Sequence, residues 1–72
     1  MTEQEKFIRA VGKNIDKKRK EKGLSFQELA FVCNLEKGHL VRLVSQGGNI
    51  TIGTLYKIAK GLEVPVWELV KV

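Results

Sequence analysis

Apolar residues return at three- and four-residue intervals through the first 22 positions, at Phe7, Ile8, Val11 and Ile15, while Lys6, Arg9, Lys13, Lys17 and Lys20 fall on the opposite side. That period predicts an amphipathic helix with its basic stripe on a solvated face. Gly23 closes it, since glycine enters left-handed backbone without a steric penalty. Ser25 then stands as the N-cap of a second helix, Phe26 to Cys33, in which Glu28 completes a capping box and Leu24 and Leu29 form a hydrophobic staple. Asn34, a common stand-in for glycine where the chain turns left-handed, ends that helix.

A third segment begins at Leu35, with Leu40, Leu43 and Val44 on one face and Gly38, Arg42 and Ser45 on the other. Gln46, Gly47, Gly48 and Asn49 are turn chemistry, after which Thr51 caps a fourth helix with an inner stripe of Leu55, Ile58, Ala59 and Leu62. Val64 and Pro65 break that helix, and Val66 to Val70 read as a fifth, carrying Trp67 and Leu69. No stretch alternates like a strand and none repeats. The pattern predicts a compact all-α domain of five helices over residues 1–72.

Composition narrows the class. Seventy-two residues and 43% hydrophobic content suit one small packed domain, and exclude both a multidomain enzyme and a disordered basic tail. Cys33 is the only cysteine, which excludes an internal disulfide and a paired-cysteine zinc site; on the apolar side of its helix it reads as core filler. A reducing cytoplasm is the expected location. No apolar run approaches the length of a membrane span, and no apolar signal core follows Met1. A core this small also favours help from oligomerisation, and a short last helix bearing Trp67, Val70 and Val72 is the predicted self-association patch.

The net charge of +5 favours an anionic partner, but residues 1 to 22 hold eight basic and four acidic side chains, so most of the excess sits on the first helix. The chemistry is expected elsewhere. With only Asn34 and Leu35 between them, the second and third helices form a sharp helix-turn-helix, whose second member enters the major groove in DNA-binding versions. Lys37, Gly38, His39 and Arg42 supply the polar, unobstructed outer face that such a helix needs, and Arg42 suits bidentate donation to guanine. His39 has no second ligand nearby and does not read as a metal ligand. Gly47-Gly48 lacks the lysine and Ser/Thr of a nucleotide loop, and no paired carboxylate, Cys/His or Ser/His set shares a face, so neither a cofactor nor an enzymatic activity is expected.

The runs Gly23-Leu24-Ser25-Phe26-Gln27-Glu28-Leu29-Ala30 and Asn49-Ile50-Thr51-Ile52-Gly53-Thr54-Leu55-Tyr56-Lys57-Ile58-Ala59-Lys60-Gly61-Leu62-Glu63-Val64-Pro65, in this order and spacing, resemble the lambda-repressor-like or Xre-type helix-turn-helix family across about residues 8 to 70. The resemblance implies a stand-alone transcriptional regulator, a repressor or restriction-system controller. It would bind a palindromic double-stranded operator as a homodimer with its third helix in the groove. It further implies phosphate contacts from the backbone of Phe26 and Gln27 and from Ser45, Gln46, Asn49 and Thr54. The family often pairs an arginine late in the first helix with a glutamate late in the third; here Val44 holds the latter position, which frees Arg19 for a phosphate. Phe26 replaces the family's phosphate-gripping glutamine, Glu36 replaces a Ser or Thr at the start of the recognition helix, and Gly38 removes a common base-reading side chain. Two other readings fit the same fold: an antitoxin-type regulator that also binds a toxin protein, and a helix-turn-helix used only for protein interaction.

Overall fold

A computed structural model describes the whole chain, Met1–Val72, as five helices and no strands: α1 (Glu3–Glu21), α2 (Phe26–Cys33), α3 (Lys37–Gln46), α4 (Ile52–Leu62) and α5 (Trp67–Val70). The expected all-α architecture is therefore present. α1 fills the span expected of it and opens on a cap that the apolar period does not disclose. Thr2 Oγ1 accepts from Glu5 N–H at 3.1 Å while Glu5 Oε1 accepts from Thr2 N–H at 2.9 Å, a reciprocal capping box. The box at Ser25 and Glu28 has the same geometry, with bonds of 3.0 and 2.8 Å.

Three helices end alike. Gly23, Asn34 and Glu63 take left-handed backbone at φ 70°, 56° and 59°, and the N–H of the following residue bonds five residues back: Leu24 to Arg19 O, Leu35 to Ala30 O and Val64 to Ala59 O. Each closure delivers an apolar residue (Leu24, Leu35, Val64) back onto the core. This corrects the reading of the third segment. Leu35 is consumed in closing α2, Glu36 is extended, and α3 begins at Lys37, so three residues join the two helices in place of two.

The core gathers Val11 and Ile15 of α1, Leu29, Ala30 and Cys33 of α2, Leu40 and Leu43 of α3, Ile58, Ala59 and Leu62 of α4, and Leu69 of α5. Phe7, expected on the inner stripe, is instead exposed at the rim. Cys33 is buried, and burial raises its pKa, as suits core filler. Two glycines set helix spacing: a Cβ on Gly12 would lie 2.9 Å from Val44 O and 3.0 Å from Leu43 O across the α1–α3 contact, and one on Gly61 would collide with Cys33 Sγ across α2–α4. Asn14 holds the C-terminal turn against α1, donating to Leu69 O and Lys71 O, both at 2.9 Å. No helix is long and apolar enough to cross a membrane.

Candidate nucleic-acid interface

α3 owes its outward chemistry to its period. With Leu40 and Leu43 buried, Lys37, Gly38 and Arg42 are left exposed, while His39 is half-buried at the edge. Gly38 and Arg42 share a face one turn apart: the nearest side-chain atom to a Cβ built on Gly38 is Arg42 Nη1, at 3.7 Å. The absence of a side chain at Gly38 therefore leaves a flat approach beside an exposed guanidinium donor. Glu36 makes no side-chain cap, so the first N–H groups of α3 point outward without an internal partner.

The start of α2 also presents free donors. The Ser25 hydroxyl and carbonyl take the N–H groups of Glu28 and Leu29, whereas those of Phe26 and Gln27 have no acceptor in the chain. α4 repeats the arrangement: Thr51 takes the N–H of Thr54 at 3.1 Å and Leu55 bonds Thr51 O, leaving Ile52 and Gly53 unpaired. Exposed N–H groups at a helix start form a ready site for an anion, because the helix dipole adds to their partial charge. The pair at Ile52 and Gly53 lies outside the set expected from the sequence, although the Thr51 cap is the signal that implies it. The Thr51 hydroxyl donates to Thr54 Oγ1 at 3.0 Å, so the Thr54 hydroxyl keeps its own proton for an outside acceptor.

Other expected phosphate contacts stand differently. Gln46 and Asn49 are exposed, at the end of α3 and in the following loop. Ser45 is exposed too, but its hydroxyl donates to Val41 O at 2.7 Å, so its proton is committed inside the helix. Gln27 and Lys37 line one shallow cleft of about 200 Å³ together with Phe31, an aromatic 85% exposed beside the helix-turn-helix.

Arg19 is a correction. It is not free to reach a phosphate: Nε and Nη2 donate to Asp16 Oδ1 at 3.0 and 2.9 Å, Nη1 donates to Leu24 O at 2.7 Å, and the guanidinium lies over the Phe26 ring. The missing glutamate on α3 is replaced by Asp16, one turn back on the same helix. Phe26 fills the space under the guanidinium, which explains an aromatic where the family has glutamine.

The predicted self-association patch is split. Trp67 and Val72 are 59% and 71% exposed and line a cleft of about 430 Å³ with Lys17 and Lys71, but Val70 turns inward, packs on the core and lines a second cleft with Phe7, Ile50 and Leu55. No cluster of three or more His, Cys, Asp or Glu side chains comes together to hold a metal ion.

Comparison with known proteins places this geometry. The helix-turn-helix family profile matches residues 15–69. The restriction-modification controller protein C.AhdI from Aeromonas hydrophila superposes with a TM-score of 0.83 at 26% identity, over 86% of this chain and 94% of that one. The wild-type controller protein C.Esp1396I gives a TM-score of 0.81 at 35% identity, over 90% of each chain. A variant of it bound to its highest-affinity operator site gives 0.82 at 35% identity, over 90% of this chain and 91% of that one. No curated protein matches the chain. The match over residues 15–69 and the five-helix architecture together make the chain a member of the lambda-repressor-like helix-turn-helix family.

Proposed function

We propose that the chain is a sequence-specific double-stranded DNA-binding transcriptional regulator, and not an enzyme, which lays α3 in the major groove. One observation carries the reading: an exposed polar face on α3 flanked by unpaired N–H groups at the starts of α2 and α4, in a fold shared with a controller protein bound to its operator. Base edges are read by Lys37, Gly38, His39 and Arg42, with Arg42 the principal reader of guanine. Phosphates are held by the backbone of Phe26 and Gln27 and by Gln46, Asn49 and Thr54, which fix register without carrying sequence information; Ser45, whose hydroxyl proton is given to Val41 O, leaves the set. Two copies act together on a two-fold site, half-sites about 34–36 Å apart, through a surface that includes Trp67 and Val72. Likeness to two controller proteins favours control of a restriction-modification system.

Selection of duplexes from a random pool, followed by anisotropy titration, tests the reading. A palindromic consensus bound by two chains is expected, with Arg42→Ala losing about 1–3 kcal/mol of discrimination at one base pair per half-site. Absence of binding at low salt, or selectivity unchanged by Arg42→Ala, overturns it.

A further inference from the structure

The basic residues of α1 are not one surface. Lys6 pairs with Glu3 at 3.7 Å, Lys18 with Glu68 at 3.3 Å and Lys20 with Asp16 at 3.2 Å, while Arg19 is internal. Lys17 has no ion pair but lines the cleft beside α5 with Trp67. Arg9 also has no ion pair or hydrogen bond, and it lies elsewhere, in a cleft of about 380 Å³ shared with Gly47, Gly48 and Asn49 of the α3–α4 loop.

The stem of the side chain touches that loop. Gly47 is buried at φ 77°, and a Cβ there would lie 3.2 Å from Ile8 Cγ2 and 3.5 Å from Arg9 Cγ, so the Arg9 stem rests on the loop where a side chain would otherwise stand. A long cationic side chain laid on backbone in this way keeps its stem packed and its head in water. Asn49 and the unpaired N–H groups of Gly48 and Asn49 line the same cleft as Arg9. Glu5 is the one carboxylate lining the cleft; its Oε1 is held by Thr2 N–H, and it forms no ion pair with Arg9.

We infer that Arg9 is a further DNA phosphate-binding residue, reaching the backbone from α1 beside Asn49. This rests on the proposed DNA-binding function and adds to it a charge that the loop lacks. In the phosphate set, Gln46, Asn49 and Thr54 are all uncharged, so they orient a phosphate without releasing its counterion; Arg9 supplies that missing electrostatic contribution.

Phosphate contacts are independent of sequence, so the test needs no operator. A fluorescent duplex of random sequence, three helical turns or roughly 30 base pairs long, is titrated by anisotropy across a potassium chloride series with the wild-type chain, Arg9→Gln, Arg9→Lys and Lys17→Gln, each checked for helicity. Loss of one phosphate contact lowers the log–log salt slope by about 0.9 and affinity by about fivefold at 0.15 M salt. Arg9→Gln is expected to show both changes, Arg9→Lys to keep the wild-type slope, and Lys17→Gln to match wild type. A wild-type slope in Arg9→Gln, or an equal loss in Lys17→Gln, overturns the inference while leaving the function intact. Failure of the wild-type chain to bind the duplex at any salt overturns both.

Discussion

Arg19 lies over Phe26 with its guanidinium carbon 4.1 Å from the ring centroid, and the same group ties Asp16 to the Leu24 carbonyl. The side chain is only 14% exposed, so it acts as an internal brace between the end of α1 and the start of α2. Arg19→Ala should destabilise the domain by about 2 kcal/mol, from lost charge-assisted bonds and ring stacking. That corresponds to a fall of roughly 8–16 °C in the melting midpoint. Arg19→Lys should recover less than half, because an ammonium cannot bridge two acceptors and stack at once. Thermal melts by circular dichroism measure the loss. In the salt series the slope for the charge-removing Arg19→Gln, measured where the chain is folded, should equal that of wild type; a slope lower by about 0.9 would return Arg19 to the DNA surface.

Two glycines on adjacent helices should respond oppositely to the same change. At Gly12 the new methyl would meet main-chain oxygens at 2.9 and 3.0 Å, which cannot rotate away, so α1 and α3 must separate. Gly12→Ala is expected to cost about 1–3 kcal/mol. At Gly38 the nearest atom is the end of Arg42 at 3.7 Å, and alanine there should stabilise α3 by up to about 1 kcal/mol. Gly38→Ala should also narrow the flat face, weakening selected duplexes more than random ones. Urea titrations read the first effect and paired anisotropy titrations the second.

These positions show which parts of the molecule a sequence discloses. Helix ends that depend on a specialised residue were legible: Gly23 and Asn34 mark left-handed closures, and Ser25, Glu28 and Thr51 mark caps. Glu63 closes α4 by the same geometry, but glutamate carries no preference for it; tertiary packing of Val64 imposes the turn. The sequence pattern starts α3 two residues early for a related reason, since an apolar Leu35 looks helical until the closure of α2 claims it. At the interface, the exposed face of α3 followed from period alone. The fate of Arg19 did not, because its partners are set by how two helices meet.

The left-handed Glu63 offers a direct gain. A residue with a Cβ in that region costs about 1–2 kcal/mol relative to right-handed backbone, and glycine pays little of this. Part of the relief is offset by the greater freedom of glycine in the unfolded chain. Glu63→Gly should therefore raise stability by about 0.5–1 kcal/mol, and Glu63→Val should lower it. Chemical denaturation of the three proteins gives the order.

Acid should loosen the domain through its caps and its brace. Burial pushes the Asp16 pKa up, but hydrogen bonds from Arg19 and Lys20 outweigh it and hold the carboxyl below its ordinary 3.8. The Ser25 and Thr2 backbone N–H groups likewise hold Glu28 and Glu5 below the ordinary 4.5. Carboxylates whose pKa is lower folded than unfolded stabilise the native state above the unfolded value, and lose that contribution as pH falls through the folded one. The melting midpoint should stay level from neutral pH down to about 5 and decline below about 4.5. Asp16→Asn should lower the plateau and flatten the acid limb; an unchanged limb would move the titration to other groups.

Trp67 is the single tryptophan and is 59% exposed, with Lys71 Nζ 5.9 Å from its ring centroid. Its emission should therefore report self-association directly. If the surface of Trp67 and Val72 joins two chains, dilution should shift the emission to longer wavelength as the ring returns to water. A buried aromatic anchor is worth about 2 kcal/mol or more at an interface, so Trp67→Ala should weaken the dimer about 30-fold or more. Val70→Ala separates association from folding, because Val70 faces the core: it should lower the melting midpoint while leaving the monomer–dimer equilibrium in place. Sedimentation of the two variants and wild type across a concentration series decides the matter. A Trp67→Ala chain that still forms the wild-type dimer would move the self-association surface away from α5.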